Sequence, residues 1–261
     1  MRFPLLFTAL VCLPTFAQSP TLAEIEIVRP DTFALPLDDE LHLEVHVTDA
    51  ESLLTYINDY RGMQGVRIDG ERALVSIARD ATLRSAYTAA HLAESFVMDI
   101  SESSTRAFIA DFTDNREGPV TPADIEAYVN GFIEDPTSIH GFQIASKVAA
   151  DRSGDCTEYA VLTTALARAL GIPARLVFGT VIVQDQGAVT AFGHAWSEIH
   201  YRGQWQRIDA ALHPLATSSR FYVPTAELSN EGPGFAFAMF SSINTLPGKL
   251  VVMDQPSHNN P

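Results

Sequence analysis

The 261-residue sequence contains few cysteines and few lysines, and the scarcity of cysteine argues against two features, an internal disulfide and a zinc site. Its two cysteines are Cys12 and Cys156, and its two lysines are Lys147 and Lys249. A single cysteine beyond the N-terminal segment cannot form an internal disulfide. Without a second cysteine or a histidine close by, it also lacks the ligand spacing of a zinc site. The net charge of −15 argues against nucleic-acid binding, which requires a basic patch.

The N-terminal segment has the pattern of an export signal. Arg2 supplies a positive charge, residues 3–13 are apolar apart from Thr8, and Ala17 ends a short stretch with small residues at the positions that a signal peptidase reads. We predict a signal peptide over residues 1–17 and a periplasmic or secreted location; a buried N-terminal strand is the alternative. No later segment is long and apolar enough to span a bilayer, so we expect no integral membrane segment in the mature chain.

Residues 18–120 are predicted to be rich in strands. The stretch LHLEVHV, residues 41–47, alternates apolar and polar side chains and predicts a strand. His42, Glu44 and His46 lie on its polar face, where solvent exposure is favoured over a metal site. Residues 66–78 predict a hairpin with its turn at Asp69-Gly70.

Residues 121–254 predict helices followed by strands. Thr121, Pro122 and Asp124 have the pattern of a capped helix start, and residues 139–154 predict a second helix. Residues 174–213 return to strand-like patterns, and residues 255–261 predict a flexible tail. The order of strands, helices and strands predicts an α+β fold.

A third helix is predicted to carry the isolated thiol at its start. Asp155 is a good N-cap, Glu158 completes a capping pattern, and Gly171 ends the helix. Cys156 therefore falls on the first turn, where free N–H groups and the helix dipole favour thiolate over thiol. The alternative is a small residue that packs at a helix start.

A histidine and an aspartate downstream are predicted to meet on one face of a hairpin. A two-residue turn at Arg202-Gly203 would place His194 and Asp209 diagonally across two strands, about 7–8 Å apart at Cα. The aspartate can then select the tautomer of the imidazole. The absence of a G-x-S-x-G motif argues against a serine hydrolase.

These motifs resemble the bacterial transglutaminase-like superfamily of cysteine peptidases and acyltransferases. The resemblance covers residues of about 140 to 213 and is carried by GDCTE at 154–158, LARALGIPAR at 166–175, GHAW at 193–196 and the aspartate at 209. It implies a papain-like core, in which a helix bearing the nucleophile packs on an antiparallel sheet. By position, Cys156 is the nucleophile, His194 the general base and acid, and Asp209 the orienting carboxylate. One departure is Ala210-Ala211, where the family commonly has proline and threonine.

We therefore expect cysteine-dependent amide acyl transfer through a thioester, on a protein or peptide substrate, with water or an amine as acceptor. No metal and no organic cofactor are expected, and the oligomeric state is left open. Trp196 and Gln143 are candidates for the substrate pocket. Two alternatives remain: a non-catalytic binding or scaffold protein of the same fold, and a redox-regulated thiol protein, which would not need His194 or Asp209.

Overall fold

The computed structural model describes residues 22–30, 37–114, 116–137, 141–185, 187–213 and 219–253. The predicted signal peptide at 1–17 and the predicted tail at 255–261 lie outside these ranges and stay predictions. Within them, no helix combines the length and the apolar character that crossing a membrane requires.

The described chain contains six α-helices and eleven strands. The helices are α1 (Ala50–Ile57), α2 (Ser103–Asp114), α3 (Pro122–Phe132), α4 (Ala145–Asp151), α5 (Cys156–Ala169) and α6 (Phe235–Ile243). The strands are β1 (Ala23–Val28), β2 (Glu40–His46), β3 (Tyr60–Arg67), β4 (Arg72–Leu83), β5 (Asp135–Pro136), β6 (Ser153–Gly154), β7 (Ala174–Asp185), β8 (Ala188–Tyr201), β9 (Gln204–Ile208), β10 (Ser219–Glu227) and β11 (Lys249–Val252). This composition confirms the predicted α+β class.

One large sheet unites strands from both ends of the chain. Its order is β1-β11-β2-β4-β9-β8-β7-β10, with β3 paired to β4, and its pairs are antiparallel except for the parallel pair β1–β11. Strand β1 pairs with β8 as well as with β11, which closes six strands into a ring. The N-terminal strands and the later strands thus share one sheet, and the division predicted at residue 120 stays a prediction.

The N-terminal predictions hold at the level of single strands. Leu41, Leu43 and Val45 of β2 are buried, as the alternation predicts. Strands β3 and β4 form the expected hairpin around residues 69 and 70. Helix α1 was not predicted; its N-cap Asp49 accepts the N–H groups of residues 51 and 52, a local signal of an N-cap.

Helix α5 is enclosed on all sides, because the sheet covers one face and other helices cover the rest. It packs against β7 and β8, and against α3 and α4. Ser197 of β8 anchors it directly, donating to the carbonyl of Ala160 at 2.8 Å and sharing a hydrogen bond of 2.9 Å with Thr164. The expected helix on an antiparallel sheet is therefore confirmed, and its enclosure holds the helix start in one place relative to β8.

The helix before α5 ends earlier than the sequence predicts. Helix α4 stops at Asp151, not at Gly154, because Arg152 adopts a left-handed conformation with φ of 52°. Ser153 and Gly154 then form β6, which pairs with β5. A Cβ atom on Gly154 would lie 2.3 Å from the Cβ of Glu158, so only glycine leaves room for the side chain that caps α5.

Candidate active site

Cys156 is the first residue of α5, and the predicted cap stands before it. The Asp155 carboxylate accepts the N–H of Thr157 at 2.9 Å, and the Glu158 carboxylate accepts the N–H of Asp155, also at 2.9 Å. Such a cap stabilises a helix by about 1 kcal/mol. The Asp155 side chain accepts N–H groups of residues that follow Cys156. The N–H of Cys156 itself lies at the N-terminal end of the helix, where it has no partner within the helix.

The thiol of Cys156 is a poor acid in this environment, and the expectation of a lowered pKa is wrong. The residue has no exposed surface. Burial, and then the carboxylate of Asp155, raise its pKa well above the usual range, against a backbone hydrogen bond from Ala195 that lowers it. Removal from water outweighs the helix dipole here. A thiolate therefore requires a partner that takes the proton locally.

The edge of β8 is interrupted beside this thiol. On that edge β1 pairs with residues 191–193 and β9 pairs with residues 197–201, so neither pairs with residues 194–196. The carbonyl of Gly193 accepts the N–H of Leu22 at 3.0 Å on the same edge. Because backbone groups alternate along a strand, Ala195 directs its N–H into this gap, towards Cys156.

His194 and Asp209 meet as the hairpin predicts. Tyr201 pairs with Gln204 around the turn, and Arg202 and Gly203 have positive φ values of 53° and 84°. The Nε2 atom of His194 lies 2.9 Å from Oδ2 of Asp209. Since a carboxylate only accepts, Nε2 carries a proton, and in the neutral imidazole Nδ1 is then the atom with the lone pair. That Nδ1 is buried and has no hydrogen-bond partner among the described residues.

Tyr222 of β10 is a third member of this cluster that the sequence did not reveal. Its hydroxyl donates to Oδ2 of Asp209 at 2.6 Å, the oxygen that also faces His194. Burial acts to raise the pKa of Asp209, but attraction to His194 and the hydrogen bonds from His194 and Tyr222 hold it below its usual value. No local pattern identifies this tyrosine, because it reaches Asp209 only through the pairing of β10 with β7.

Replacing Tyr222 with phenylalanine is expected to lower any activity that depends on His194 by about 10- to 100-fold, the value of one hydrogen bond to a charged group. The pKa of Asp209 should rise, so the acid limb of the pH–rate profile should move to higher pH. A profile of rate against pH checks this, with Tyr201→Phe as the control. An unchanged acid limb in Tyr222→Phe would contradict the assignment.

Trp196 and Gln143, the two candidates for the substrate pocket, lie beside His194 and beside the cap of α5. Trp196 is 2% exposed, and its ring centroid lies 6.3 Å from that of His194 and 5.1 Å from that of Tyr222. Its Nε1 is buried with no hydrogen-bond partner among the described residues. The N–H of Gln143 donates to Oε1 of Glu158 at 3.1 Å, which ties Gln143 to the start of α5.

Glu158 makes the stability of this helix start dependent on pH. Burial, and then the nearby carboxylate of Asp155, raise the pKa of Glu158 to about 8. The native protein therefore keeps a proton that the unfolded chain releases near 4.5. Stability should fall as pH rises from about 5 to 8, by at most about 1.4 kcal/mol per pH unit.

Denaturant unfolding of the wild type and Glu158→Gln across this range measures the effect. The glutamine variant should lose the part of the slope that Glu158 causes, because it has no proton to release. Equal slopes in the two proteins, or a wild type that becomes more stable with rising pH, would contradict the raised pKa of Glu158.

The structure places no metal site at the polar face of β2. Nε2 of His46 lies 2.9 Å from Glu44. In the part of the chain that the structure describes, no group of three or more histidine, cysteine, aspartate or glutamate side chains is placed to hold a metal ion.

Comparison with known proteins gives one family and several solved structures. The model of the transglutaminase-like superfamily matches residues 107–210. The periplasmic domain of TgpA from Pseudomonas aeruginosa, bound to ethylmercury, is 19% identical over 67% of this chain and 73% of that chain, with a TM-score of 0.44. A protein of Cytophaga hutchinsonii, described as a candidate cysteine protease, is 17% identical over 82% of this chain and 96% of that chain, also with a TM-score of 0.44. No curated protein matches the chain.

Proposed function

We propose that this chain, whose residues 107–210 match the model of the transglutaminase-like superfamily, is a cysteine-dependent enzyme of amide acyl transfer. The observation that supports this best is the state of His194. Its Nε2 is held by Asp209 at 2.9 Å, while its Nδ1 has no hydrogen-bond partner in the described part of the chain. The next residue, Ala195, donates its N–H towards the thiol. A buried imidazole held in this way has the properties of a general base.

In the proposed reaction, Nδ1 of His194 takes the proton of the Cys156 thiol, and Sγ attacks the carbonyl carbon of an amide. Direct transfer from the thiol to the imidazole avoids releasing a proton to water, which suits a thiol whose pKa burial has raised. The imidazolium then protonates the leaving ammonia or amine as the C–N bond breaks. A thioester remains, and water or a second amine attacks it with His194 as base, restoring the thiol.

Two further groups have assigned parts in this proposal. Asp209 keeps the proton of His194 on Nε2 and stabilises the imidazolium. The N–H of Cys156, at the N-terminal start of α5, donates to the oxyanion that forms on the carbonyl oxygen. We further propose that residues 121–254 form the catalytic part, that residues 1–17 direct export, and that the enzyme works in the periplasm or outside the cell.

A second function is favoured by one observation: neither Cys156 nor His194 has any exposed surface. A protein that keeps the fold only for binding or as a scaffold would tolerate a closed site. The enzyme, by contrast, must open the site before a substrate can reach the thiol. The two functions therefore differ in whether the protein turns over any amide.

Mass spectrometry of a peptide mixture separates these functions. The mixture should contain glutamine and asparagine side chains and a free primary amine. Cleaved peptides would indicate a protease, conversion of side-chain amides to acids an amidase, and amine adducts a cross-linking enzyme. His194→Ala should abolish the product, whereas His42→Ala, which removes a partly buried histidine from β2, should not. The same mixture unchanged by wild-type protein would support the scaffold.

A further inference from the structure

A small cavity beside Asp209 is lined by more basic than acidic residues, whereas the protein as a whole is acidic. It has a volume of about 270 Å³ and is lined by Arg79, Glu126, Arg207, Asp209, Arg220 and Tyr222. Three of its six lining residues are arginines, although the chain as a whole has 32 acidic and 17 basic residues. We call it the arginine cavity.

Neutral groups orient two arginines of this cavity, Arg79 and Arg207. Arg79 donates from Nη2 to the carbonyls of Leu37 at 3.0 Å and Asp38 at 2.8 Å. Arg207 donates to the carbonyl of Arg79 at 3.3 Å, and its guanidinium carbon lies 3.8 Å from the ring centroid of Tyr222. Carbonyls and an aromatic face orient a guanidinium without cancelling its charge.

The two carboxylates of the cavity accept hydrogen bonds from other groups, and Asp209 is also attracted to Arg220. Asp209 accepts from His194 and Tyr222. Glu126 accepts the N–H of Asp209 at 3.1 Å and lies 3.4 Å from His213. Among the residues that the structure describes, Arg207 forms no ion pair. The carboxylate paired with Arg79 is that of Asp39, which is fully exposed and 3.4 Å away.

Several arginines elsewhere in the protein are paired with acids. Such pairs are Arg72–Asp69, Arg152–Glu134, Arg168–Glu231 and Arg175–Glu198. In an acidic protein, carboxylates are available to neutralise a guanidinium almost anywhere. The three arginines of the cavity exceed its two carboxylates by one positive charge, and an entering anion offsets that excess. Planar guanidinium groups suit carboxylate and phosphate oxygens in particular.

We propose that the arginine cavity is an oxyanion subsite that binds a carboxylate or a phosphate through Arg79 and Arg207. Its volume suits one small anion or the anionic end of a larger molecule, not a whole extended ligand. The anion has two possible sources, a free carboxylate on a peptide and inorganic phosphate. The subsite goes beyond acyl transfer and does not require Cys156 to act, so binding can be tested without turnover.

Calorimetric titration of the full protein with inorganic phosphate, at constant ionic strength in chloride, tests the subsite. Wild type should bind with a saturable signal, and Arg207→Gln should weaken binding about tenfold or more, as loss of a charge-assisted contact does. Arg207→Lys keeps the charge but loses the planar fork, so it should bind with intermediate affinity. Arg61→Gln removes an exposed arginine outside the cavity and should bind as wild type does.

Competition then distinguishes the two sources. An N-acetylated alanine dipeptide with a free C-terminal carboxylate should displace phosphate, while its C-terminal amide should not, if the subsite serves a peptide. If neither peptide competes, the subsite serves the inorganic anion. Absence of phosphate binding to wild type would overturn the proposal. So would equal affinity in wild type and Arg207→Gln, or an equal loss of affinity in Arg61→Gln and Arg207→Gln. Thermal unfolding without phosphate shows whether each variant is folded.

Discussion

Replacing Cys156 with alanine is expected to lower the rate of amide acyl transfer by on the order of 10⁴-fold or more, the scale seen when a catalytic nucleophile is removed. No other cysteine lies among the residues that the structure describes, so no second thiol there can substitute. The fold should survive, because alanine is smaller than cysteine and only a small void is created in the packing around α5. The measurement is product formation from the peptide mixture.

Two controls make this loss interpretable. Thermal unfolding of Cys156→Ala should match wild type closely, which excludes a general loss of structure. Thr163→Ala changes a buried residue two turns along α5 whose hydroxyl bonds only within the helix, at 2.8 Å to the carbonyl of Tyr159, and should retain activity. Turnover that persists in Cys156→Ala would contradict a thioester route.

Asp209→Asn should cost about 10⁴-fold in rate, the scale of a wrong-tautomer effect in a catalytic triad. Both oxygens of Asp209 accept hydrogen bonds: Oδ2 from His194 and Tyr222, and Oδ1 from the N–H of Leu212 at 3.3 Å. An asparagine must turn its NH₂ towards one of these donors. If it faces His194, the ring proton moves to Nδ1, the atom that must accept the proton of the thiol.

The rate of Asp209→Asn is measured with the substrate found for wild type, beside Asp114→Asn, an exposed aspartate at the end of α2. The second variant should be unaffected. Since the pKa of Asp209 lies below its usual value, its charge persists throughout the neutral range, and the loss in Asp209→Asn should not be recovered by raising the pH. A reduction below tenfold would mean that Asp209 does not orient the base.

Short-range patterns in the sequence predicted much of this site. The cap of α5 follows from Asp155 and Glu158, because a capping box involves residues three apart. The meeting of His194 with Asp209 follows from counting back from the turn, because an antiparallel hairpin has a fixed register once its turn is known. Both features depend only on neighbours along the chain.

Features that depend on distant segments could not be predicted in this way. The pairing of β1 with β8 next to His194 joins residues 23 and 193, and nothing near either residue specifies the other. Tyr222 reaches Asp209 only through the β7–β10 pairing. The raised pKa of Cys156 likewise depends on how completely distant segments bury the helix start, which the dipole argument alone omitted.

The closed site suggests which segment must move if a substrate is to enter. Leu22 donates its N–H to the carbonyl of Gly193 at 3.0 Å, and a Cβ atom on Gly193 would lie 2.5 Å from Cδ1 of Leu246. The start of β1 and the segment after α6 therefore pack directly against the residue that precedes His194. Reactivity of the thiol reports on this opening as well as on the assembled site.

The most direct test of the central claim is the rate at which iodoacetamide alkylates Cys156 near neutral pH, followed by mass spectrometry. Wild type, His194→Ala, Asp209→Asn and His42→Ala should be compared under conditions where all four are folded. We predict that alkylation slows in His194→Ala and Asp209→Asn and is unchanged in His42→Ala, because the proton of the thiol passes to an imidazole that Asp209 orients. Equal and slow alkylation in all four proteins would show an inert buried thiol and would contradict an assembled cysteine–histidine–aspartate site.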